Sequence, residues 1–132
     1  LGRLNRLLSG LSQGITDLRA GLGDAWQNTV VVVASEFGRT AAENGNYGTD
    51  HGTGGLAMVA GGAVSGGQIA GDWPGLSARS LFEGRDVAAL NDCESIFKAV
   101  LIGHLGLDEG YVERVVFPDS QTSGPMHGLI RT

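Results

Sequence analysis

At 132 residues, with a formal charge of −5 and a sequence pI near 5.0, the chain has the length of one domain and no basic excess. That balance excludes a nonspecific nucleic-acid binder, which needs a basic face, and no apolar run approaches the roughly 20 residues that span a bilayer. Apolar residues at 42% against 17% charged describe a globular chain, and 23 glycines without a collagen period point to tight turns and close backbone approaches.

The first element is an α-helix. Leu1, Leu4, Leu8, Leu11, Ile15, Leu18 and Leu22 step by three and four alternately, which draws one apolar stripe along about six turns. Gly10 and Gly14 weaken a free-standing helix by about 1 kcal/mol each, so packing on a sheet is expected to hold it. Gly21 and Gly23 end it. The run 29–34, rich in valine, reads as the strongest strand of the chain, buried on both faces as in a parallel sheet. A second apolar run, GLAMVA at 55–60, predicts another strand, and Gln68-Ile69-Ala70 a short one beyond the Gly66-Gly67 turn signal. Residues 71–75, GDWPG, read as a loop because Pro74 disfavours helix at Trp73.

A second helix is expected to begin at Asn91 or Asp92 as N-cap, with Glu94 in its first turn and Gly106 as its stop. Its predicted buried face is Ile96, Phe97, Val100, Leu101, His104 and Leu105. Residues 108–114 suggest one more short helix, and Val115-Val116-Phe117 a brief strand. Neither repeats nor a linker divide the chain, which reads as a single domain of 1–132. It begins at Leu1 without a Met and reads as the C-terminal portion of a longer protein.

Chemistry concentrates where the valine run empties into polar residues. Asp50 and His51 supply two ligands of the kind that bind Zn²⁺ or Mn²⁺, and a glycine-rich loop can turn neighbouring side chains to one side. Two ligands do not make a metal site, and Glu36 is the nearest third. The bland alternative is a turn in which Asp50 accepts backbone N–H groups. Glu36 and Arg39 read either as an internal ion pair or as a metal ligand beside an anion-holding guanidinium. The pieces GTGG (52–55) and AGGAVSGG (60–67) lack the Lys-Ser/Thr of a phosphate loop and read as turns. His104 lies on an apolar helix face, His127 stays open as a distant ligand, and Cys93, the sole cysteine, reads as an ordinary thiol that excludes an intrachain disulfide.

The elements SEFGRT (35–40), TDHG (49–52), GGAVSGG followed by GDWPGL, EGRD (83–86), HLGL (104–107) and VVFPDS (115–120) occur in an order that resembles domain-of-unknown-function family 1501, a large bacterial group, in its C-terminal part. The resemblance implies a place near the alkaline phosphatase and sulfatase superfamily. The implied fold is α/β, a mainly parallel sheet flanked by helices. Asp50-His51-Gly52 then looks like the superfamily's metal-binding loop, whereas Glu36 and Thr40 stand where it has an Asp and a His. The nucleophile would lie upstream, and a later ligand would correspond to His127 or His104. The implied activity is metal-dependent hydrolysis of phosphate or sulfate esters, with Asp50, His51 and Glu36 on a divalent ion, zinc or manganese, and Arg39 on the anionic group. The alternative is an exported binding or scaffolding protein without catalysis. Relatives often carry twin-arginine export signals, which implies a periplasmic protein. An exposed sheet edge predicts pairing with another copy.

Overall fold

A computed structural model describes residues 2–120 and 122–131. The first helix, α1, spans Arg3–Leu22, starting from an extended Gly2 and ending at Gly23, whose φ of 52° and N–H bond to the Arg19 carbonyl close the last turn. Its stripe forms as the spacing predicts from Leu4 to Leu22, Leu1 lying outside the described residues, yet no side chain of α1 is buried: Leu4, Leu7 and Leu8 are 49%, 62% and 52% exposed. The expected cover by a sheet is therefore absent among the described residues.

A 3₁₀ segment, Gly23–Asn28, leads to β1, Val31–Val33. Here the parallel-sheet expectation fails. β1 pairs antiparallel with β4, Met58–Ala60, in the register Val31↔Ala60, Val32↔Val59 and Val33↔Met58. A second pair, β2 (Gly38–Arg39) with β3 (His51–Gly52), is also antiparallel. The described chain therefore holds two two-stranded sheets, not a mainly parallel one flanked by helices. The reason is connectivity. A parallel neighbour is usually reached through a helical crossover, whereas the stretch between β1 and β4 is long enough for one but holds no helix; it folds into the β2–β3 hairpin and returns β4 antiparallel. The valines of β1 are accordingly half-buried, not sealed on both faces.

The second helix, α2, spans Cys93–Gly103 with Asp92 as N-cap and Glu94 in its first turn, as predicted. Gly106, at φ 68°, donates to the Ile102 carbonyl, and Leu107 donates to that of Leu101. These wrap-around bonds satisfy carbonyls of the last turn. The buried stripe is Ser95, Lys98 and Ala99, however, and the predicted apolar face is half-buried or, at Leu105, exposed. A helical turn α3, Glu109–Tyr111, capped by Asp108 Oδ1 on the Tyr111 N–H at 2.8 Å, runs into a π-helical turn, Val112–Val116, where a strand was predicted around Val115. Gln68 to Ala70 forms no strand either. The Gln68 amide instead donates to the carbonyls of Ser65 and Gly128, both at 2.8 Å.

The chain divides into two compact units. Unit 1 gathers Leu1–Trp26, Ser35–Leu56 and Pro74–Ala89; unit 2 gathers Gln27–Ala34, Ala57–Trp73 and Leu90–Thr132. The buried apolar side chains, Ala63, Val64, Ala99, Val112 and Leu129, all belong to unit 2. Unit 1 instead buries the polar side chains Thr40 and Asp86 together with Gly38 and Gly54.

Candidate functional site

The β2–β3 hairpin of unit 1 carries the residues singled out in the sequence. Its two faces differ because of glycine. Gly38 lies opposite Gly52, and a Cβ on Gly38 would sit 2.3 Å from the Gly52 carbonyl oxygen, while one on Gly52 would sit 2.4 Å from the Arg39 carbonyl carbon. No side chain fits between these backbones, so this face of the ladder is closed by contact. The other face carries Arg39 directly across from His51. Directly opposed residues in an antiparallel pair share a face, with their Cβ atoms about 5 Å apart. Phe37, two residues before Arg39, joins them: its ring stacks on the His51 ring with centroids 6.0 Å apart and planes 16° from parallel.

Arg39 and His51 are both exposed. Arg39 donates from Nη1 to the Thr49 carbonyl at 3.3 Å, a bond that engages one of the five guanidinium N–H donors. The hairpin is held from its other edge by residues 85–87. Ala41 donates to the Arg85 carbonyl at 3.0 Å, Val87 to the Arg39 carbonyl at 3.0 Å, and Gly54 to the Val87 carbonyl at 2.7 Å. The EGRD element supplies this brace through a tight turn, with Glu83 and Gly84 at φ 53° and 66° and Arg85 donating back to the Phe82 carbonyl at 3.1 Å. Asp86, nearly buried, accepts from Arg85 Nε at 2.7 Å and from the Thr53 hydroxyl at 2.9 Å. The hydrogen bond from Arg85 is the main cause holding the Asp86 carboxyl below its ordinary range, with help from Thr53 and against the effect of burial. Arg85 is raised in turn, chiefly by its hydrogen bond to Asp86.

Asp50 does not join His51. Thr40 and Asp50 exchange bonds, Thr40 N–H to the Asp50 carbonyl at 3.1 Å and Asp50 N–H to the Thr40 hydroxyl at 3.1 Å, so Asp50 continues the ladder one step beyond Arg39 and His51. Successive residues of an extended strand point to opposite faces. The glycine-rich loop that was expected to turn both side chains one way is, at His51, a strand that turns them apart. The Asp50 carboxylate accepts from the Asn44 amide at 2.8 Å. Asn44 also ties down its own loop, accepting at Oδ1 from the N–H groups of Asn46 and Gly48 at 2.9 and 3.2 Å. Glu36 is exposed on the bend before β2, and among the described residues no ion pair joins it to Arg39.

Among the described residues no three of His, Cys, Asp and Glu gather closely enough to hold a metal ion. Asp50, His51 and Glu36 thus do not fit a divalent centre by themselves. His104, the half-buried C-cap of α2, and His127, exposed in a turn, belong to unit 2. Cys93 is exposed at the start of α2. What sequence reasoning missed is the ring of Phe37. The signal was its spacing, two residues before Arg39 at a strand edge, which places both side chains on one face.

No curated protein and no solved structure matches the chain. The family described as "Protein of unknown function (DUF1501)" matches residues 2–116, nearly the whole sequence, and the chain belongs to that family.

Proposed function

We propose that the exposed face of the β2–β3 hairpin binds the anionic group of a phosphate or sulfate ester, as the recognition part of an ester hydrolase near the alkaline phosphatase and sulfatase superfamily. The observation that carries this reading is the register that sets Arg39 against His51 on one face of a braced hairpin. A guanidinium offers a planar fork of donors that matches phosphate and sulfate oxygens, and an imidazole N–H beside it adds another donor. Arg39 is the anion-holding residue and His51 its cross-strand partner. The scattered placement of Glu36, Asp50 and His51 gives no metal centre, so no chemical step is assigned to a bound ion.

That same scatter favours a second reading, in which the protein binds anionic esters without cleaving them. The two separate in one experiment. Wild type and Arg39→Ala are titrated with inorganic phosphate and sulfate while the His51 ring is followed by NMR, and both are assayed on p-nitrophenyl phosphate and sulfate with zinc or manganese added. Binding and turnover that both fall tenfold or more in Arg39→Ala support the hydrolase. Binding that depends on Arg39 with no turnover supports the binder. Anions that leave the His51 signals unmoved in the wild type sink both.

A further inference from the structure

Asn44-Gly45 is the one Asn-Gly step in the sequence; the other asparagines are followed by Arg6, Thr29, Tyr47 and Asp92. The structure places it in the turn that leads into β3, with Asn44 half-buried and Gly45 exposed. The Asn44 side chain is held there at both of its polar atoms. Its Oδ1 accepts from the N–H groups of Asn46 and Gly48 at 2.9 and 3.2 Å, and its Nδ2 donates to the Asp50 carboxylate at 2.8 Å. The Gly45 N–H, in contrast, makes no hydrogen bond among the described residues. A Cβ on Gly45 would meet no atom within 4 Å, so the space around that residue is open.

A free backbone nitrogen next to an asparagine amide is a nucleophile tethered to its electrophile. Closing the Gly45 nitrogen onto the Asn44 Cγ makes a five-membered imide, and glycine, which has no Cβ, hinders that closure least. Negative charge then develops on Oδ1. The Asn46 and Gly48 N–H groups already aim at that oxygen, and donors placed where charge develops lower a barrier. We infer that Asn44 is a self-modification site, at which the chain converts its own side-chain amide to a carboxylate through a succinimide. The bond from the Gly45 nitrogen to the Asn44 Cγ forms, the Cγ–Nδ2 bond breaks, and ammonia leaves with the equivalent of the proton that Gly45 gives up. Water then opens the imide at either carbonyl, leaving aspartate or isoaspartate and one more negative charge. Neither product keeps the donor to Asp50, and each brings a second carboxylate into the loop, where like charges repel. The reaction therefore loosens residues 44–50, among them Thr49, whose carbonyl receives Arg39. This chemistry does not depend on the anion-binding reading.

The test ages the whole chain in mildly alkaline buffer, native and in urea, as wild type and Gly45→Ala, and follows it by ion exchange and by peptide mapping that separates aspartate from isoaspartate. Gly45 lies outside the left-handed region and an alanine Cβ there meets nothing, so the variant keeps the fold, which circular dichroism verifies. The native wild type is expected to gain an acidic fraction with both products at position 44 and none at the other asparagines. Gly45→Ala is expected to lose that fraction over the same interval. Beside fresh protein, the acidic fraction is expected to exchange its loop amides roughly three- to tenfold faster, the increment of one lost hydrogen bond. A native chain that stays unmodified, or that reacts only once unfolded in urea, overturns the site. Reaction as fast in Gly45→Ala as in wild type overturns the succinimide route, and unchanged exchange in the acidic fraction overturns the loosening.

Discussion

Lys98 is wholly buried on α2, an uncommon place for a lysine. Its ammonium donates to the Ser120 carbonyl at 2.7 Å and to the Ser123 carbonyl at 2.6 Å, and Glu113 Oε1 lies 3.8 Å away. Among the described residues after the π-helical turn there is no strand or helix to satisfy these carbonyls, and one side chain satisfies two of them. The Ser123 hydroxyl completes the strap by donating to the Asp92 carboxylate at the N-cap of α2, and Met126 N–H reaches the Ser95 carbonyl at 2.8 Å. Lys98→Met keeps the length of the side chain and removes its donors. It is expected to destabilise the protein by roughly 3 kcal/mol, the cost of leaving buried carbonyls unpaired, read as a lower urea midpoint. An unchanged midpoint would show that water reaches the carbonyls.

At the scale of elements, the two-stranded hairpin is joined to residues 85–87 by an isolated bridge, with the buried Asp86 carboxylate at the seam. Asp86 faces Thr40 across the bridge between them and holds Thr53 and Arg85. Its carboxyl is lowered in the folded state, first by the Arg85 hydrogen bond, so the stabilisation it gives is present above the unfolded-state value of about 3.9 and is lost as pH falls through the lower folded value. Asp86→Asn is therefore expected to be less stable than wild type at pH 6, with the gap closing toward pH 3. Urea denaturation across that range checks it, and a constant gap would remove Asp86 ionisation as the cause. The hairpin also shows where sequence reading stopped. Arg39 and His51 were legible as candidates, and their direct opposition was not, because register depends on which backbones approach and Gly38 and Gly52 decide that only in three dimensions. Asp50 and His51 were joined in sequence and parted by strand alternation. By contrast α2 was legible at both ends, Asp92 and Gly106, although the Asp92 side chain makes no capping bond and its carboxylate accepts from Ser123 instead.

Over the whole molecule, burial is uneven. Unit 2 holds the buried apolar side chains, and α1 buries none despite its regular stripe. A helix whose apolar face is at best half-buried, as at Leu11, Ile15 and Leu22, opens at low cost, all the more with Gly10 and Gly14 in its middle. Hydrogen exchange followed by mass spectrometry is expected to show α1 amides exchanging at least ten times faster than those of α2. Equal protection would mean that the leucine face is covered in solution. The parallel sheet failed for a related reason. Four valines in a row report burial on average, whereas the partner of β1 is a run reached only after the whole β2–β3 hairpin, which no pattern inside the valine run records.

The one lysine of this sequence has its amine sealed beneath the strap, and that has a practical side. Reagents that modify lysine amines find no accessible side chain on the folded protein, so dyes, biotin esters and amine cross-linkers leave its side chains untouched. Once the strap lets go, Lys98 becomes reactive, and its modification then acts as a timer for the opening of unit 2.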